Sequence, residues 1–439
     1  MSRSFLRRRA VPIGLLVGVI VGSLAGAVAR PPAGPPEAEA RVLHAAPTLA
    51  VPGAPIELRF AAVCEPAGTP ACEIADATLH VRVAGSWRDI PGTVQAGEAS
   101  FLVPGEMVTA GGLAYYAELQ PARGAPILYP PSGATHPIPV GTTEGFREVR
   151  LPADLSLDAV RAPDGTALFL PWGSGPGEVG LADAHAGEEA LGPSSFAVGP
   201  DGELYVADWV NRRIQVFAGA SYRELSAPAE TTVDLAVDDD GRIGLVGLGI
   251  GARASTLGPD GRHLGTSPIV LGAPARIAAA GSRLQVFVGP GQWVPVQGRD
   301  GRSLTTEEQD LDRTASVSGA LSQELGEDRL AVSWPAPSGR AGVVLALPRG
   351  IRVGVEYFVH VLDDGGVLVA RGLWSDTAMA VGVFRLSASG ELLDLSLLPE
   401  PTRLMDARMS TVRFRAPGEV LVAYDRADGI AIERFEVIG

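Results

Sequence analysis

The chain has 439 residues, 46% hydrophobic and 20% charged, with 55 Gly and 36 Pro, a globular and turn-rich composition with room for two or three domains. A formal charge of −14 argues against a nucleic-acid partner, because phosphate binding needs a basic face. All 36 basic residues are arginine, which removes chemistry that depends on a lysine amine, such as Walker-type phosphate binding and Schiff-base formation.

Residues 1–30 read as a signal peptide or signal anchor. Arg3, Arg7, Arg8 and Arg9 precede an uncharged apolar run from Val11 to Ala29. Nineteen residues at ~1.5 Å each extend roughly 28 Å, enough to cross a bilayer core. Ala27-Val28-Ala29 also fits a signal-peptidase site. Either reading sends the remainder out of the cytoplasm, as a single-pass membrane protein or as a secreted one. Gly14, Gly18, Gly22 and Gly26 form a flat strip on one helix face, suited to self-association in a membrane. Residues 31–41, rich in Pro and Ala, read as a spacer.

Over 42–141 short apolar-alternating strands appear: PIELRFAAV, ATLHVRVAG, ASFLVP, LAYYAELQ and THPIPV. Turn residues separate them with no helical period, the signature of a small β-sandwich. Tyr115 and Tyr116 must face opposite ways in their strand, one inward and one outward. Cys64 and Cys72, the only cysteines, bracket a Pro/Gly loop. In an oxidising compartment a Cys64–Cys72 disulfide is the expected reading; without a His cluster nearby the pair makes a poor metal site.

From 145 to 439 turns recur at Asp164-Gly165, Asp201-Gly202, Asp240-Gly241, Gly281-Ser282, Glu327-Asp328, Asp364-Gly365 and Pro417-Gly418, spaced 37, 39, 41, 46, 37 and 53 residues apart. A period near 40 with several strands per unit implies propeller blades, six to seven of them. Phe146–Leu151 is the expected closing strand, completing the last blade and removing two open sheet edges.

The stretch Gly192–Phe217 is the most regular unit: SFAVG and ELYVAD around Pro200-Asp201-Gly202, then Asn211-Arg212-Arg213-Ile214-Gln215-Val216-Phe217, with a glycine-rich lead-in at 173–178. It resembles an NHL repeat, and the GGLAYYAEL strand resembles a late strand of immunoglobulin-like modules of secreted bacterial proteins. The resemblance implies an all-β chain: a membrane-spanning or signal helix, an immunoglobulin-like sandwich, then an NHL-like propeller. Asp208 and Arg213 match the acidic and basic positions of the repeat, which implies a structural tie.

Trp172, Trp209, Trp293, Trp334 and Trp374 each follow an apolar strand of a different unit, with Tyr424 in the corresponding place of the last. Such rings either wedge between blades or encircle one mouth of the propeller as a binding face, with Arg212 and Asp376 orienting a ligand. His185, His263 and His360 do not suggest a converging metal site, and no catalytic motif or cofactor signature is present. The expected function is a binding or scaffold protein engaging a protein or glycan on the propeller face; the alternative is an extracytoplasmic hydrolase or lyase with its site on the axis.

Overall fold

The computed structural model describes residues 40–64, 73–182, 191–227, 232–247, 253–269, 276–289, 292–298, 302–314, 316–337, 339–402, 404–405, 410–416 and 418–437. The N-terminal helix, the glycine strip, most of the spacer and the Cys64–Cys72 bridge lie outside what is described: Cys72 falls within 65–72, and only the backbone of Cys64 is placed. Among the described residues no helix is long and apolar enough to cross a membrane. Ala38–Gly439 forms one compact unit.

All five strands expected between 42 and 141 are present, within two facing sheets. One sheet runs in the order Ala40–His44, Ile56–Cys64, Glu98–Val103, Thr93–Gln95. The other runs Leu49–Ala50, Ile138–Thr142, Leu113–Pro121, Ile74–Val83, Ser86–Pro91, with Ile127–Tyr129 beside Leu113–Pro121. Period-two alternation puts Leu58, Phe60 and Phe101 of the first sheet against Leu79, Val81, Tyr115 and Leu119 of the second in one core. Tyr115 is fully buried. Tyr116 faces outward, stacked on His80 at 4.3 Å.

Six further sheets follow, as the propeller pattern requires. The first four-stranded blade holds Ser195–Val198, Leu204–Asp208, Arg213–Ala218 and Ser221–Ser226; the second holds Thr232–Val237, Ile243–Gly247, Arg253–Leu257 and His263–Pro268. The third has three strands, Arg276–Ala280, Arg283–Gly289 and Gln292–Pro295. The fourth consists of Leu321–Glu324, Arg329–Ala336 and Gly339–Ala346, and the fifth of Arg352–Val361, Val367–Trp374, Met379–Leu386 and Leu392–Pro399. Val412–Arg415, Glu419–Arg426 and Gly429–Glu436 build the sixth. First strands line the inside: that of the first blade lies against those of the second and sixth, the second against the third, and the fifth against the fourth and sixth.

Closure differs from the expectation. Gly165–Pro171, which the turn count makes a unit of its own, pairs antiparallel with Gly429–Glu436 and completes the sixth blade. Among the described residues the blades therefore number six rather than seven. Arg147–Arg150, the expected closing strand, instead pairs parallel with Gly339–Ala346 at the outer edge of the fourth blade. Both segments are short, and both find a free edge. What separates them is the partner face: Phe146 needs Gly342, where an added Cβ would sit 2.3 Å from its ring.

The fourth blade also runs in the opposite sense to the fifth. Between the second and third blades like ends meet, since Asp239 N–H donates to Gly281 C=O and the Arg242 guanidinium to Ser282 C=O, hairpin to corresponding hairpin. From fourth to fifth the ends are exchanged. Val353 N–H, at the start of the fifth blade, donates to Glu327 C=O in the first hairpin of the fourth. The Trp334 indole N–H, at the second hairpin of the fourth, donates to Gly365 C=O in the first hairpin of the fifth (3.1 Å). The cause is strand parity. Three strands leave the chain at the end opposite to its entry, so 347–351 can pass directly into the fifth blade only if the fourth is turned over.

The sandwich docks on the exposed face of this reversed sheet. Leu49 packs with Ala331 and Val344. Gln323 clasps the same backbone: its Oε1 accepts from Thr48 N–H (2.5 Å), Thr48 Oγ1 (2.6 Å) and Leu49 N–H (2.7 Å), and its Nε2 donates to Leu49 C=O (2.6 Å). A second contact joins Ser132 N–H to Asp310 Oδ2 (2.9 Å) and Arg313 Nη2 to His136 C=O (2.8 Å).

Candidate functional site

The first blade is held by a buried charge network at the end of its second strand. Asp208, fully buried, accepts at Oδ2 from Arg213 Nε (3.0 Å) and Asn211 Nδ2 (2.8 Å), and at Oδ1 from Gly180 N–H (3.0 Å). Arg213 carries on to Glu224 (2.9 Å) and to the carbonyls of Gly175 and Glu178 (both 2.8 Å). The lead-in at 173–178 is thus pinned to the blade, and the Arg213 hydrogen bonds all go to groups of the blade and its lead-in. Arg212, with φ +56°, turns the backbone there and leaves its side chain exposed.

The aromatic residues divide by burial and by end. Trp209, Trp374 and Tyr424 stand at or near the ends of second strands. Trp209 is half-buried and donates to Gly192 C=O (2.7 Å). Tyr424 is half-buried with its hydroxyl on Pro399 C=O (3.2 Å); burial, and then the charge of Glu433, push that hydroxyl up. Trp172 follows the outermost strand of the sixth blade and packs half-buried beside Leu170 and Val179. Trp293 lies on a third strand, buried against Phe287 at 5.2 Å and under the Arg276 guanidinium at 5.7 Å. Trp334, fully buried, falls at the end opposite Trp374 because its blade is reversed. Wedges and exposed rings therefore coexist.

Trp374 is 37% exposed. The Arg352 guanidinium stacks on it at 4.6 Å and pairs with Asp376 (3.6 Å) and Glu327 (3.3 Å). Its strand partner Met379 is 50% exposed and Val355, on the innermost strand, 42%. Together they form an apolar patch with a charged border.

A second constellation occupies the inside of the ring. Asp234, fully buried on the second blade's first strand, accepts at Oδ1 from Arg413 Nη2 (3.0 Å) of the sixth blade and at Oδ2 from Ile277 N–H (2.9 Å) of the third. Arg413 crosses the first blade on the way, donating to Phe196 C=O (2.9 Å). Arg276 of the third blade reaches the fifth, donating to Tyr357 C=O and lying 3.8 Å from Glu356 Oε1. Glu356 Oε2 accepts from Ser322 Oγ and faces Arg371 Nη1 at 3.5 Å, while Arg371 Nη2 donates to Glu324 (2.7 Å). Burial first, and then the charge of Arg413, pull Arg276 down to about 10. Such cross-ring pairs tie non-adjacent blades together and hold the carboxylates in place.

The sequence reading missed this cluster. Its signal was charge set among apolar strand residues: one Asp in TVDLAV, one Arg in RIAAA, two Arg in VRFR and one Glu in VGVEYFV. At the Asp238-Asp239-Asp240 hairpin tip, Asp238 is buried and accepts from Arg242 Nε at 2.8 Å. His263 sits on an outer strand and His360 on an inner one, and His185 lies outside the described residues. No group of metal-ligating side chains occurs among the described residues.

Residues 191–217 match the NHL repeat. No curated protein matches the chain in sequence. Among solved structures it is similar to a streptogramin B lyase (12% identity, TM-score 0.33, over 56% of this chain and 83% of the lyase). It is also similar to U3-55K (13%, 0.34, over 60% and 100%) and to BamB from Moraxella catarrhalis (13%, 0.29, over 55% and 95%). At these scores none of the likenesses carries an assignment.

Proposed function

We propose that the chain is an extracytoplasmic binding or scaffold protein, tethered by its N-terminal apolar segment, whose propeller engages a protein or glycan partner through the fifth-blade patch. The observation that carries this reading is the exposed Trp374 with Arg352 stacked on it, bordered by Met379, Val355 and Asp376. Trp and Arg at the centre of a patch are the residues that most often dominate protein binding, and an aromatic ring beside polar groups equally suits a sugar face. Trp209, Tyr424 and Arg212 extend the same surface in this reading, whereas Trp172, Trp293 and Trp334 pack within or between their own blades and take no part in it.

The alternative, a hydrolase or lyase on the axis, needs a carboxylate free to take a proton. Those on the inner strands are engaged by guanidinium or hydroxyl donors, which favours the binding reading. The tether rests on the arginines preceding Val11–Ala29. The test measures co-purifying protein and glycan-array signal for the full chain and for Trp374→Ala. Loss of the bound species at unchanged melting temperature is expected; retention would end the assignment of this patch.

A further inference from the structure

The inner cluster holds more buried positive than buried negative charge. Arg276 and Arg371 are each 5% exposed, and Arg413 is nearly as enclosed, its side chain 13% exposed. Against them only Asp234 is fully buried, since the Glu356 and Glu324 side chains remain 26% and 48% exposed. An uncompensated buried cation is costly, and a buried N–H without an acceptor adds to that cost. Two such donors are present: Nε of Arg276 and Nε of Arg371 have no hydrogen-bond partner, although both are sealed from solvent. The two guanidiniums flank a single carboxylate, Arg276 on Glu356 Oε1 and Arg371 on Oε2.

We propose that the inner face of the ring binds a small oxyanion, of the carboxylate or phosphate class, on the free Nε–H donors of Arg276 and Arg371 beside Glu356. A guanidinium edge matches the oxygen spacing of either class, and its fixed planar donors lose little freedom on binding. The lowered pKa of Arg276 agrees with a site short of negative charge. Glu356 would be the internal competitor, so occupancy would be set by the balance between it and the ligand.

The full chain is melted against rising inorganic phosphate, and separately acetate, with chloride holding the ionic strength constant. A saturable rise in melting temperature is expected for one of the two, and which one responds identifies the class. Arg371→Gln should abolish the response, while Arg59→Gln, in the sandwich, should keep it. Glu356→Gln removes the competitor and should tighten binding by about tenfold, on the scale of a partly buried charge; it decides the matter if Arg371→Gln does not fold. Phosphate and acetate acting no differently from chloride, a response that survives Arg371→Gln, or no tightening in Glu356→Gln would overturn the proposal.

Discussion

The first and fourth blades are both four-stranded sheets of one propeller, the first all antiparallel and the fourth with a parallel outer strand, and they are held by different means. In the first, the restraints are polar and close in sequence: Asp208, Asn211 and Arg213 interlock within six residues, reach back to the lead-in and Gly180, and reach forward to Glu224 on the blade's own outer strand. In the fourth, they are largely apolar and come from elsewhere. Its outer strand is Arg147–Arg150, Phe146 covers Gly342, Leu49 and Gln323 fasten the sandwich, and Trp334 is roofed by the hairpin of the next blade. A blade restrained by its own residues can be recognised from a motif. A blade restrained by its surroundings cannot, because its sequence need only be apolar and alternate.

The sharpest way to break this contrast is to remove one charge from the first blade. Asp208→Ala leaves Arg213 buried without its main partner and should cost about 3–5 kcal/mol, read as a shift in the urea midpoint. A comparable loss, about 3–5 kcal/mol, is expected for Trp334→Ala in the fourth blade from burial and cavity terms. The two should differ in kind. Hydrogen exchange should rise within 173–226 alone for Asp208→Ala, but across the fourth blade, the fifth and the docked sandwich for Trp334→Ala. Identical exchange patterns would erase the distinction.

How much of this was legible follows the same division. The sandwich strands could be read because alternation over Ile56–Cys64 and Leu113–Pro121 separates a buried face from a wet one. Ser86–Pro91 was missed because nearly all its side chains are exposed, so no period survives. The inner three strands of the first blade were legible residue by residue, but its exposed outer strand Ser221–Ser226 was not. The place of Gly165–Pro171 was not, since turn spacing counts strands without saying which edge each one joins. The inner arginines were visible as oddities, but their meeting depends on the ring, which brings Arg413 to Asp234 from 179 positions away.

Smaller effects sharpen the contrast from the sandwich side. His44 is buried, with Nδ1 on Arg59 C=O and Nε2 on the Tyr115 hydroxyl, and burial pulls it down to about 4 from its ordinary 6.5. The unfolded chain therefore takes up the proton first as pH falls. Stability from this group is complete above pH ~6.5 and is lost towards pH ~4, by about 3 kcal/mol. Urea midpoints across that window should fall for the wild type and less for His44→Phe. Gln323→Ala, which strips four hydrogen bonds from the docked strand, should cost about 2–3 kcal/mol and loosen the sandwich before the first blade. Trp374→Ala should change stability by less than about 1 kcal/mol, since its ring is already partly in water.

The reversal of the fourth blade is tested most directly by cross-linking. In a Cys64→Ser/Cys72→Ser background, Asp364→Cys in the first hairpin of the fifth blade is combined with Pro337→Cys or with Glu327→Cys, and a short thiol cross-linker is added. With the fourth blade reversed, the 337/364 pair cross-links quickly and the 327/364 pair does not. Fast cross-linking of 327/364 with none at 337/364 would contradict the reversal and return the fourth blade to the sense of its neighbours.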